Sequence, residues 1–240
     1  MAYESIFKRY ETKYLLTASQ KAAVMAVIGE HMTPDAYGKT TVRNLYYDTD
    51  SYRLIRRSLE KPVYKEKLRL RSYAQATQDS VVFVELKKKF DSVVYKRRLD
   101  LTEKTAASWL SGCIPCPKPG QIGREVEYFL RYYEGLVPKV FLSYDREAFY
   151  SKLDHGFRVT FDENILCRQD TLSLEAEIFG TPILPPGMTL MEIKSMGGIP
   201  LWLTRVLTAE KIHKTSFSKY GTAYETLIYP TLTKEVKTNA

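Results

Sequence analysis

The chain has 240 residues, of which 36 are Lys or Arg and 28 are Asp or Glu, which gives a net charge of +8 and a pI of about 9.2. Hydrophobic residues make up 44% of the chain, so the composition excludes a disordered protein. The basic excess indicates an anionic partner, which could be nucleic acid, an acidic membrane surface or a phosphate-rich small molecule.

Signals for membrane insertion, export and disulfide bonding are weak. The longest uninterrupted apolar run, residues 22–28, has seven residues and is too short to span a bilayer. The N-terminus lacks the apolar core of a signal peptide, and three cysteines do not make a disulfide framework. We therefore expect a cytoplasmic protein with one domain over residues 1–230 and a flexible polar tail over residues 231–240.

Helical signals occur in four places: residues 17–31, 102–110 and 123–136, and a last helix whose first turn contains Pro200. The first of these begins with Thr17 and Gln20 at the spacing of a capping box, in which each residue satisfies the other's backbone N–H. The helices are too few and too irregularly spaced to alternate with strands.

Eight stretches rich in Val, Tyr, Phe and Leu predict strands: residues 5–16, 41–48, 63–73, 80–90, 93–101, 139–150, 156–165 and 189–195. Asp91 and Ser92 form a tight link between two long strands, which predicts a hairpin. Because helices do not alternate regularly with these strands, we predict an α+β fold with an antiparallel sheet.

Charged residues recur at every second position in six of these strands, so they share one face of each strand. Two cations about 6 Å apart, at an effective dielectric constant near 20, repel each other by roughly 3 kcal/mol. A bound polyanion would offset this repulsion, whereas a face that is merely solvated usually mixes both signs of charge. The residues in phase are Arg9, Glu11 and Lys13; Lys65, Lys67, Arg69 and Arg71; Glu85, Lys87 and Lys89; Lys96, Arg98 and Asp100; Arg158 and Asp162; and Glu192 and Lys194.

This pattern favours a site for phosphate chains. Arg binds phosphate oxygens through two N–H groups at once, and Lys acts as a point charge. Carboxylates among these cations can hold a divalent cation that bridges phosphate oxygens. The sequence has no P-loop and no GxGxxG motif, so side chains rather than a helix N-terminus would grip the phosphates.

Other motifs are less informative. Cys113 and Cys116 form a CxxC pair, but only Cys167 remains as a third thiol and no His is close in sequence, which disfavours zinc. Adjacent tyrosines such as Tyr132 and Tyr133 could stack on nucleic-acid bases, although Tyr is more often a packing residue. We therefore expect no nucleic-acid partner.

Five segments in this order resemble the triphosphate tunnel metalloenzyme superfamily and, within it, the VTC (vacuolar transporter chaperone) domain, a polyphosphate polymerase. They are RYETKY at residues 9–14, KLRLR at 67–71, VELK at 84–87, MEIK at 191–194 and FSKY at 217–220. The resemblance covers most of the chain, from Arg9 to about Tyr224. The wider superfamily begins its first strand with Glu-x-Glu-x-Lys, and Arg9 occupies the first of these positions here, as in VTC domains.

The resemblance implies an antiparallel eight-stranded β-barrel, a tunnel lined by Lys and Arg, with helices packed outside. It also implies roles for individual residues. Catalytic phosphate contacts would come from Arg69, Arg71, Lys87, Arg158 and Lys219. Further substrate contacts would come from Lys13, Lys67, Lys96, Arg98, Arg168 and Lys194. Glu192 and Glu11 would bind Mn²⁺ or Mg²⁺.

The activity that the resemblance implies is ATP-dependent polyphosphate polymerisation, in which the γ-phosphate of ATP is added to a growing chain. The partners would then be ATP, triphosphate or polyphosphate. There are two alternatives: a triphosphatase that binds the phosphates in the same way, and a polyphosphate-binding module without catalytic activity. The oligomeric state and a membrane-protein partner stay open.

Overall fold

The computed structural model describes residues 10–91, 93–154 and 156–238. Arg9 and Ser92, both named above, lie outside these residues, as does the start of the first predicted strand. Within the described part of the chain, no helix is long and apolar enough to cross a membrane.

The structure contains all eight predicted strands and three short ones of two or three residues, β2, β9 and β11, that the sequence did not indicate. The strands are β1 Tyr10–Leu16, β2 Met32–Pro34, β3 Thr40–Asp48, β4 Tyr64–Ser72, β5 Val81–Phe90, β6 Val93–Thr102, β7 Val137–Ser151, β8 Arg158–Arg168, β9 Thr181–Pro182, β10 Thr189–Ser195 and β11 Lys214–Thr215. A two-residue strand has no readable alternation, which explains why these were missed. The predicted hairpin is confirmed, because β5 and β6 pair antiparallel from Val81 opposite Thr102 to Phe90 opposite Val93.

The prediction of an α+β fold with a large antiparallel sheet is confirmed, but the closed eight-stranded barrel is wrong. The described strands form an 11-stranded sheet in the order β11-β1-β10-β8-β7-β3-β4-β5-β6, with β2 beside β7 and β9 beside β8. Closing a sheet into a barrel requires its two end strands to pair with each other. Here the path ends at β11 and at β6, so the sheet is open.

Within the described residues, the four predicted helices are present, and the structure adds three further helices and a π-helical turn that the sequence interpretation did not indicate. The helices are α1 Ala18–His31, α2 Arg53–Leu59, α3 Glu103–Leu110, α4 Gln121–Tyr132, α5 Leu201–Ala209, α6 Lys219–Ala223 and α7 Tyr229–Thr238, with a π-helical turn Tyr224–Ile228 before α7. The predicted capping box of Thr17 and Gln20 is present. The segment 231–240, predicted as a flexible tail, is helical as far as Thr238.

The chain divides into two compact units, each built from separate segments. Unit 1 comprises Met1–Thr41, Tyr144–Ile165 and Leu184–Ser218, and unit 2 comprises Val42–Ser143, Leu166–Ile183 and Lys219–Ala240. The single domain expected over residues 1–230 stays a prediction.

Each unit has its own apolar core on one face of its strands. In unit 1, Met191 and Ile193 of β10 pack with Val24 of α1 and Leu203 of α5. In unit 2, Leu68 of β4 belongs to a second apolar core. Its other members include Leu70, Val84, Leu86, Trp109 of α3 and Phe129 of α4. Since side chains alternate along a strand, the charged residues between these apolar ones occupy the opposite face.

Candidate functional site

In unit 2, four cations surround one buried carboxylate, that of Glu85 on β5, which is 1% exposed. Arg69 donates to Oε2 of Glu85 from Nε at 2.8 Å and from Nη2 at 2.7 Å. The other cations are Arg71, with Nη1 3.8 Å from Oε2, Lys96, with Nζ 2.8 Å from Oε1, and Arg98, with Nε 2.8 Å from Oε1. We call these five residues the Glu85 cluster.

Strand register creates this cluster. Arg69 of β4 lies directly opposite Glu85, and Glu85 lies directly opposite Arg98 of β6. Two residues away along each of these three strands lies a row of paired lysines: Lys67, Lys87 and Lys96. We call this set the lysine row, and Lys96 belongs both to it and to the Glu85 cluster. Because positions two apart share a face, the lysine row lies beside the Glu85 cluster on the charged face.

The charges of the Glu85 cluster do not balance. Burial by itself would raise the pKa of Glu85, but the positive charges of Arg69, Arg71 and Lys96 outweigh it and hold the pKa well below its usual range. Glu85 is therefore ionised at neutral pH and neutralises one of the four cations around it. Burial lowers the pKa of Lys96, and the charge of Glu85 opposes that effect only in part. The cluster thus carries an excess of positive charge even before the charges of Lys67 and Lys87 are added.

Neutral polar residues orient three of the guanidinium groups. Arg69 donates from Nη1 to the hydroxyl of Tyr46 at 3.0 Å, and Arg71 donates from Nε to Oδ1 of Asn44 at 2.8 Å. Arg98 donates from Nη2 to the hydroxyl of Tyr73 at 3.0 Å. The sequence interpretation missed these three partners as well as the central role of Glu85. Two of these partners could have been found from the sequence. Asn44 and Tyr46 are two positions apart on one predicted strand and therefore share a face.

In unit 1, a second charged group surrounds Glu192 on β10, which is 6% exposed. Lys13 of β1 lies directly opposite Glu192, with Nζ 3.5 Å from Oε1. On the other side, Oε2 is 3.7 Å from Nη2 of Arg146 and 3.9 Å from Nζ of Lys194. We call these four residues, together with Glu11, the Glu192 cluster.

Lys13 also joins the two carboxylates that were predicted to bind metal. Its Nζ is 3.4 Å from Oε1 of Glu11 and donates to the backbone carbonyl of Phe217 at 2.8 Å. Thr160 of β8 lies directly opposite Glu192, and its buried hydroxyl has no hydrogen-bond partner within the described residues. The carboxylates of Glu11 and Glu192, which share the Lys13 ammonium, and the hydroxyl of Thr160 offer oxygen atoms, the type of ligand that Mg²⁺ and Mn²⁺ prefer. The described residues contain no group of three or more His, Cys, Asp or Glu side chains that could hold a metal, so phosphate oxygens or water would have to complete the coordination.

Arg146 is a site residue that the sequence interpretation missed. It donates to both oxygens of Asp162 on β8, from Nε at 2.6 Å and from Nη2 at 2.7 Å. This two-bond contact fixes the guanidinium, and Nη2 then also reaches Glu192. Asp162 was in phase with the other charged residues of its strand, but Arg146 belonged to a predicted strand that showed no charged alternation.

Arg158, a predicted phosphate ligand, lies next to Lys194 of the Glu192 cluster. Arg158 of β8 is directly opposite Lys194 of β10. Nη2 of Arg158 is 3.7 Å from Oδ2 of Asp35, and its guanidinium carbon is 4.7 Å from the ring centroid of Tyr150. Its Nε is buried and has no hydrogen-bond partner within the described residues. Burial lowers the pKa of Lys194 to about 8, although the charge of Glu192 opposes the shift.

Arg168 lies in a different environment from the other predicted ligands. It is 5% exposed, and its guanidinium carbon is 3.6 Å from the ring centroid of Phe141. All of its N–H groups donate to backbone carbonyls of the loop that follows β8, namely those of Thr171, Ser173, Glu177 and Phe179. These hydrogen bonds indicate that Arg168 holds the loop after β8 in its conformation. A role of Arg168 in phosphate binding stays a prediction.

The structure therefore distributes the predicted residues over the two units. Lys219, the first residue of α6, is buried and belongs to unit 2. Unit 1 contains Glu11, Lys13, Arg158, Glu192 and Lys194, and unit 2 contains Lys67, Arg69, Arg71, Lys87, Lys96, Arg98, Arg168 and Lys219. In each unit, most of these residues share a charged face of the strands, whereas Arg168 donates to the loop after β8 and Lys219 lies on a helix.

Comparison with solved structures shows a similar fold. A "putative adenylate cyclase" from Bacillus halodurans aligns with a TM-score of 0.54 and 15% sequence identity, over 89% of this chain and 94% of that one. A Vibrio parahaemolyticus protein of the same description aligns with a TM-score of 0.47 and 12% identity, over 91% of this chain and 98% of that one. At these identities the likeness concerns the fold alone.

Comparison with curated proteins gave no match. The VTC domain family, in contrast, matches residues 8–228, which is nearly the whole chain. This match includes both the Glu85 cluster and the Glu192 cluster and confirms the resemblance found in the sequence. The chain belongs to the VTC domain family.

Proposed function

We propose that this protein is a metal-dependent phosphotransferase that acts on triphosphate chains, and specifically an ATP-dependent polyphosphate polymerase. The observation that carries the proposal is the Glu85 cluster, in which four cations share one buried carboxylate. Membership of the VTC domain family supports the same substrate class.

The charge excess of the Glu85 cluster argues for a polyanionic substrate. Like charges about 6 Å apart in a partly buried setting repel by roughly 3 kcal/mol, and Glu85 compensates for only one of the four cations. A triphosphate carries several negative charges in a short chain, so it can offset the remaining repulsion. Arg69, Arg71 and Arg98 are held in place by hydrogen bonds, which fits the two-bond recognition of phosphate oxygens by arginine.

The lysine row extends this surface. Lys67 and Lys87 lie opposite each other on β4 and β5 and are partly exposed. A lysine ammonium is a compact charge on a flexible stem, so the row tolerates movement of a phosphate chain better than a guanidinium does. A polymerase needs this tolerance because its product must shift by one phosphate after each addition.

The reaction moves one phosphoryl group. The bond between the γ-phosphorus of ATP and the β–γ bridging oxygen breaks, and a bond forms between that phosphorus and a terminal oxygen of the acceptor chain. The products are ADP and a chain that is one phosphate longer. In this proposal Arg69, Arg71 and Lys87 hold phosphate oxygens in the Glu85 cluster and its lysine row. No protein nucleophile is required, because positioning and electrostatic stabilisation suffice for phosphoryl transfer.

The Glu192 cluster would supply the metal site. Glu192 and Glu11 would hold Mn²⁺ or Mg²⁺, with Lys13 displaced from its position between them. The ion would neutralise charge on phosphate oxygens when bound. Arg146 keeps Glu192 oriented through its own fixed contact with Asp162. Arg158, which lies opposite Lys194 on the neighbouring strand, would contribute a further phosphate contact.

The test is to incubate the purified protein with ATP and Mn²⁺ or Mg²⁺ and to measure phosphate chains on a gel together with ADP. We expect chains to grow with time and ADP to accumulate in step with them. Orthophosphate release without chains would instead identify a triphosphatase. Folded protein that releases neither ADP nor orthophosphate would contradict the proposal.

A matched pair of variants separates catalysis from binding. Glu192→Gln should abolish turnover, whereas Glu163→Gln should leave it intact. Glu163 is also a carboxylate of unit 1, but its partners are Lys21, Lys39 and Thr189 rather than the Glu192 cluster. Tripolyphosphate binding that persists in Glu192→Gln, with no turnover in the wild type, would identify a binding module.

A further inference from the structure

Tyr220, the second residue of α6, connects the helix that carries Lys219 to β3. Its hydroxyl donates to Oδ2 of Asp48 at 2.9 Å. Both residues are inaccessible, with Asp48 at 0% and Tyr220 at 2% exposure. Burial, reinforced by the negative charge of Asp48, raises the pKa of Tyr220 well above 10, so its hydroxyl keeps its proton and remains a donor.

The acceptor of this hydrogen bond is itself fixed. Oδ1 of Asp48 accepts from the backbone N–H of Thr49 at 2.8 Å and of Leu54 at 2.9 Å. Oδ2 accepts from the backbone N–H of Ile55 at 3.0 Å in addition to the Tyr220 hydroxyl. Asp48 therefore satisfies the first turn of α2 and cannot move without breaking it.

The ring of Tyr220 reaches the Glu85 cluster through a neighbouring tyrosine. Its centroid is 4.9 Å from that of Tyr46, and the Tyr46 hydroxyl accepts from Nη1 of Arg69 at 3.0 Å. Nζ of Lys67 lies 6.0 Å from the Tyr220 centroid, at the limit of a cation–π contact. All of these residues belong to unit 2.

Helix α6 is the first part of a helix that continues without interruption through the π-helical turn into α7, so Lys219 and Tyr220 lie at the N-terminal end of that helix. At this end, the hydrogen bond from Tyr220 to Asp48 is a buried polar contact that ties the helix to β3. We infer that Tyr220 is a positioning residue that sets Lys219 relative to Arg69, so that both can contact one phosphate chain. This inference rests on the proposed function for the roles of Lys219 and Arg69.

The experiment compares binding of tripolyphosphate to wild type, Tyr220→Phe, Lys219→Ala and the double variant, in the absence of turnover. Tyr220→Phe removes one hydroxyl and should weaken binding about tenfold, within the usual range of coupling between neighbours. In the Lys219→Ala background the same substitution should have almost no further effect, because Tyr220 acts through Lys219. Effects that multiply independently would overturn the inference.

Tyr224→Phe is the matched control. Tyr224 lies one turn further along and is also buried, but its ring packs against Tyr52 and Tyr229 instead of the Glu85 cluster. It should bind tripolyphosphate as the wild type does. Equal weakening in Tyr220→Phe and Tyr224→Phe would mean a general loss of packing and would contradict a positioning role.

A ligand-free measurement separates this inference from the proposed function. Lys219 is 9% exposed and should react slowly with an amine-directed reagent in the wild type. Mass spectrometry should show faster modification of Lys219 in Tyr220→Phe and an unchanged rate in Tyr224→Phe. An unchanged rate in Tyr220→Phe would refute the positioning role even if tripolyphosphate binds. Failure of the wild type to bind tripolyphosphate would instead contradict the proposed function, and the labelling result would still decide the position of Lys219.

If Tyr220→Phe does not fold, Tyr46→Phe replaces it. This variant removes the hydroxyl that accepts from Arg69 and leaves the bond between Tyr220 and Asp48 in place. It should weaken tripolyphosphate binding without changing the labelling rate of Lys219. Binding equal to that of the wild type would show that the tyrosine pair does not position Arg69, and would overturn the inference.

Discussion

Arg69 and Glu85 face each other across β4 and β5, and two N–H groups of Arg69 hold the same carboxylate oxygen, at 2.8 Å from Nε and 2.7 Å from Nη2. One oxygen of Glu85 is thus committed to Arg69 and Arg71, and the other to Lys96 and Arg98. A carboxylate shared in this way neutralises only one of its four partners. It organises them into a rigid, positively charged surface before any ligand arrives.

Glu85→Gln is expected to destabilise the protein. Removing one partner of a buried charge group typically costs about 3–5 kcal/mol, because the other charges are left uncompensated. The melting temperature should fall, and tripolyphosphate should raise it more in Glu85→Gln than in the wild type, because the anion replaces the missing charge. Thermal unfolding with and without tripolyphosphate measures both effects.

Glu125→Gln is the control for that experiment. Glu125 accepts from Lys88 and Arg97 but is a partly exposed residue of α4, so its loss should cost about 1 kcal/mol or less. If Glu85→Gln is as stable as Glu125→Gln, Glu85 does not stabilise the arrangement of the four cations around it.

Neighbouring lysines on β5 should differ in their effect on substrate binding. Lys87 belongs to the lysine row, whereas the side chain of Lys88 points to the opposite face and pairs with Glu125 at 3.1 Å. Lys87→Met should weaken tripolyphosphate binding about tenfold, the effect of losing one charge-assisted contact. Lys88→Met should leave the affinity unchanged. Calorimetric titration of both variants checks this, and equal losses would mean that general net charge, not the lysine row, attracts the ligand.

Arg168→Lys should lower stability and loosen the loop after β8. A lysine has three N–H donors in place of five and lacks the flat guanidinium that packs on Phe141. We expect about 2–3 kcal/mol lower stability and faster proteolysis within residues 171–179. Limited proteolysis with mass spectrometry locates the cleavage. Normal stability combined with weaker tripolyphosphate binding would instead assign Arg168 to the substrate.

Glu163 should make stability depend on pH in the acid range. Burial tends to raise its pKa, but hydrogen bonds from Lys21, Lys39 and Thr189 outweigh this and lower the pKa to about 2. Since the folded-state pKa lies below the unfolded value near 4.5, the stabilisation is complete above pH 4.5 and is lost as the pH falls towards 2. The contribution amounts to about 3 kcal/mol at most.

Urea unfolding of wild type and Glu163→Gln at several pH values tests this prediction. The difference in the free energy of unfolding should be largest near neutral pH and should shrink as the pH falls from about 4.5 towards 2. A difference that stays constant over this range would show that the contacts of Glu163 do not depend on its charge.

Local patterns in the sequence predicted much of the fold. The capping box placed the start of α1 at Thr17 because both of its hydrogen bonds are made within one turn. Alternation assigned Lys87 and Lys88 to opposite faces because the pleat of a strand requires it. The same rule grouped Arg69 with Arg71 and Glu192 with Lys194, and the structure keeps each pair together on a charged face.

Other features depended on contacts that no local pattern encodes. The sequence could not show that Arg146 would reach Glu192, because this requires Asp162 of another strand to orient the guanidinium. Nor could it distinguish Arg168, whose donors all face a loop, from the arginines of the Glu85 cluster.

The sequence by itself determined the eight longer strands and four of the helices, which residues share a face of a strand, and that cations predominate on those faces. Each of these follows from periodicity and composition, which act over a few residues. Only the tertiary structure decided that the sheet stays open, that four cations meet at Glu85, and that Lys13 lies between Glu11 and Glu192. These depend on the register between strands far apart along the chain, which packing of the whole core fixes.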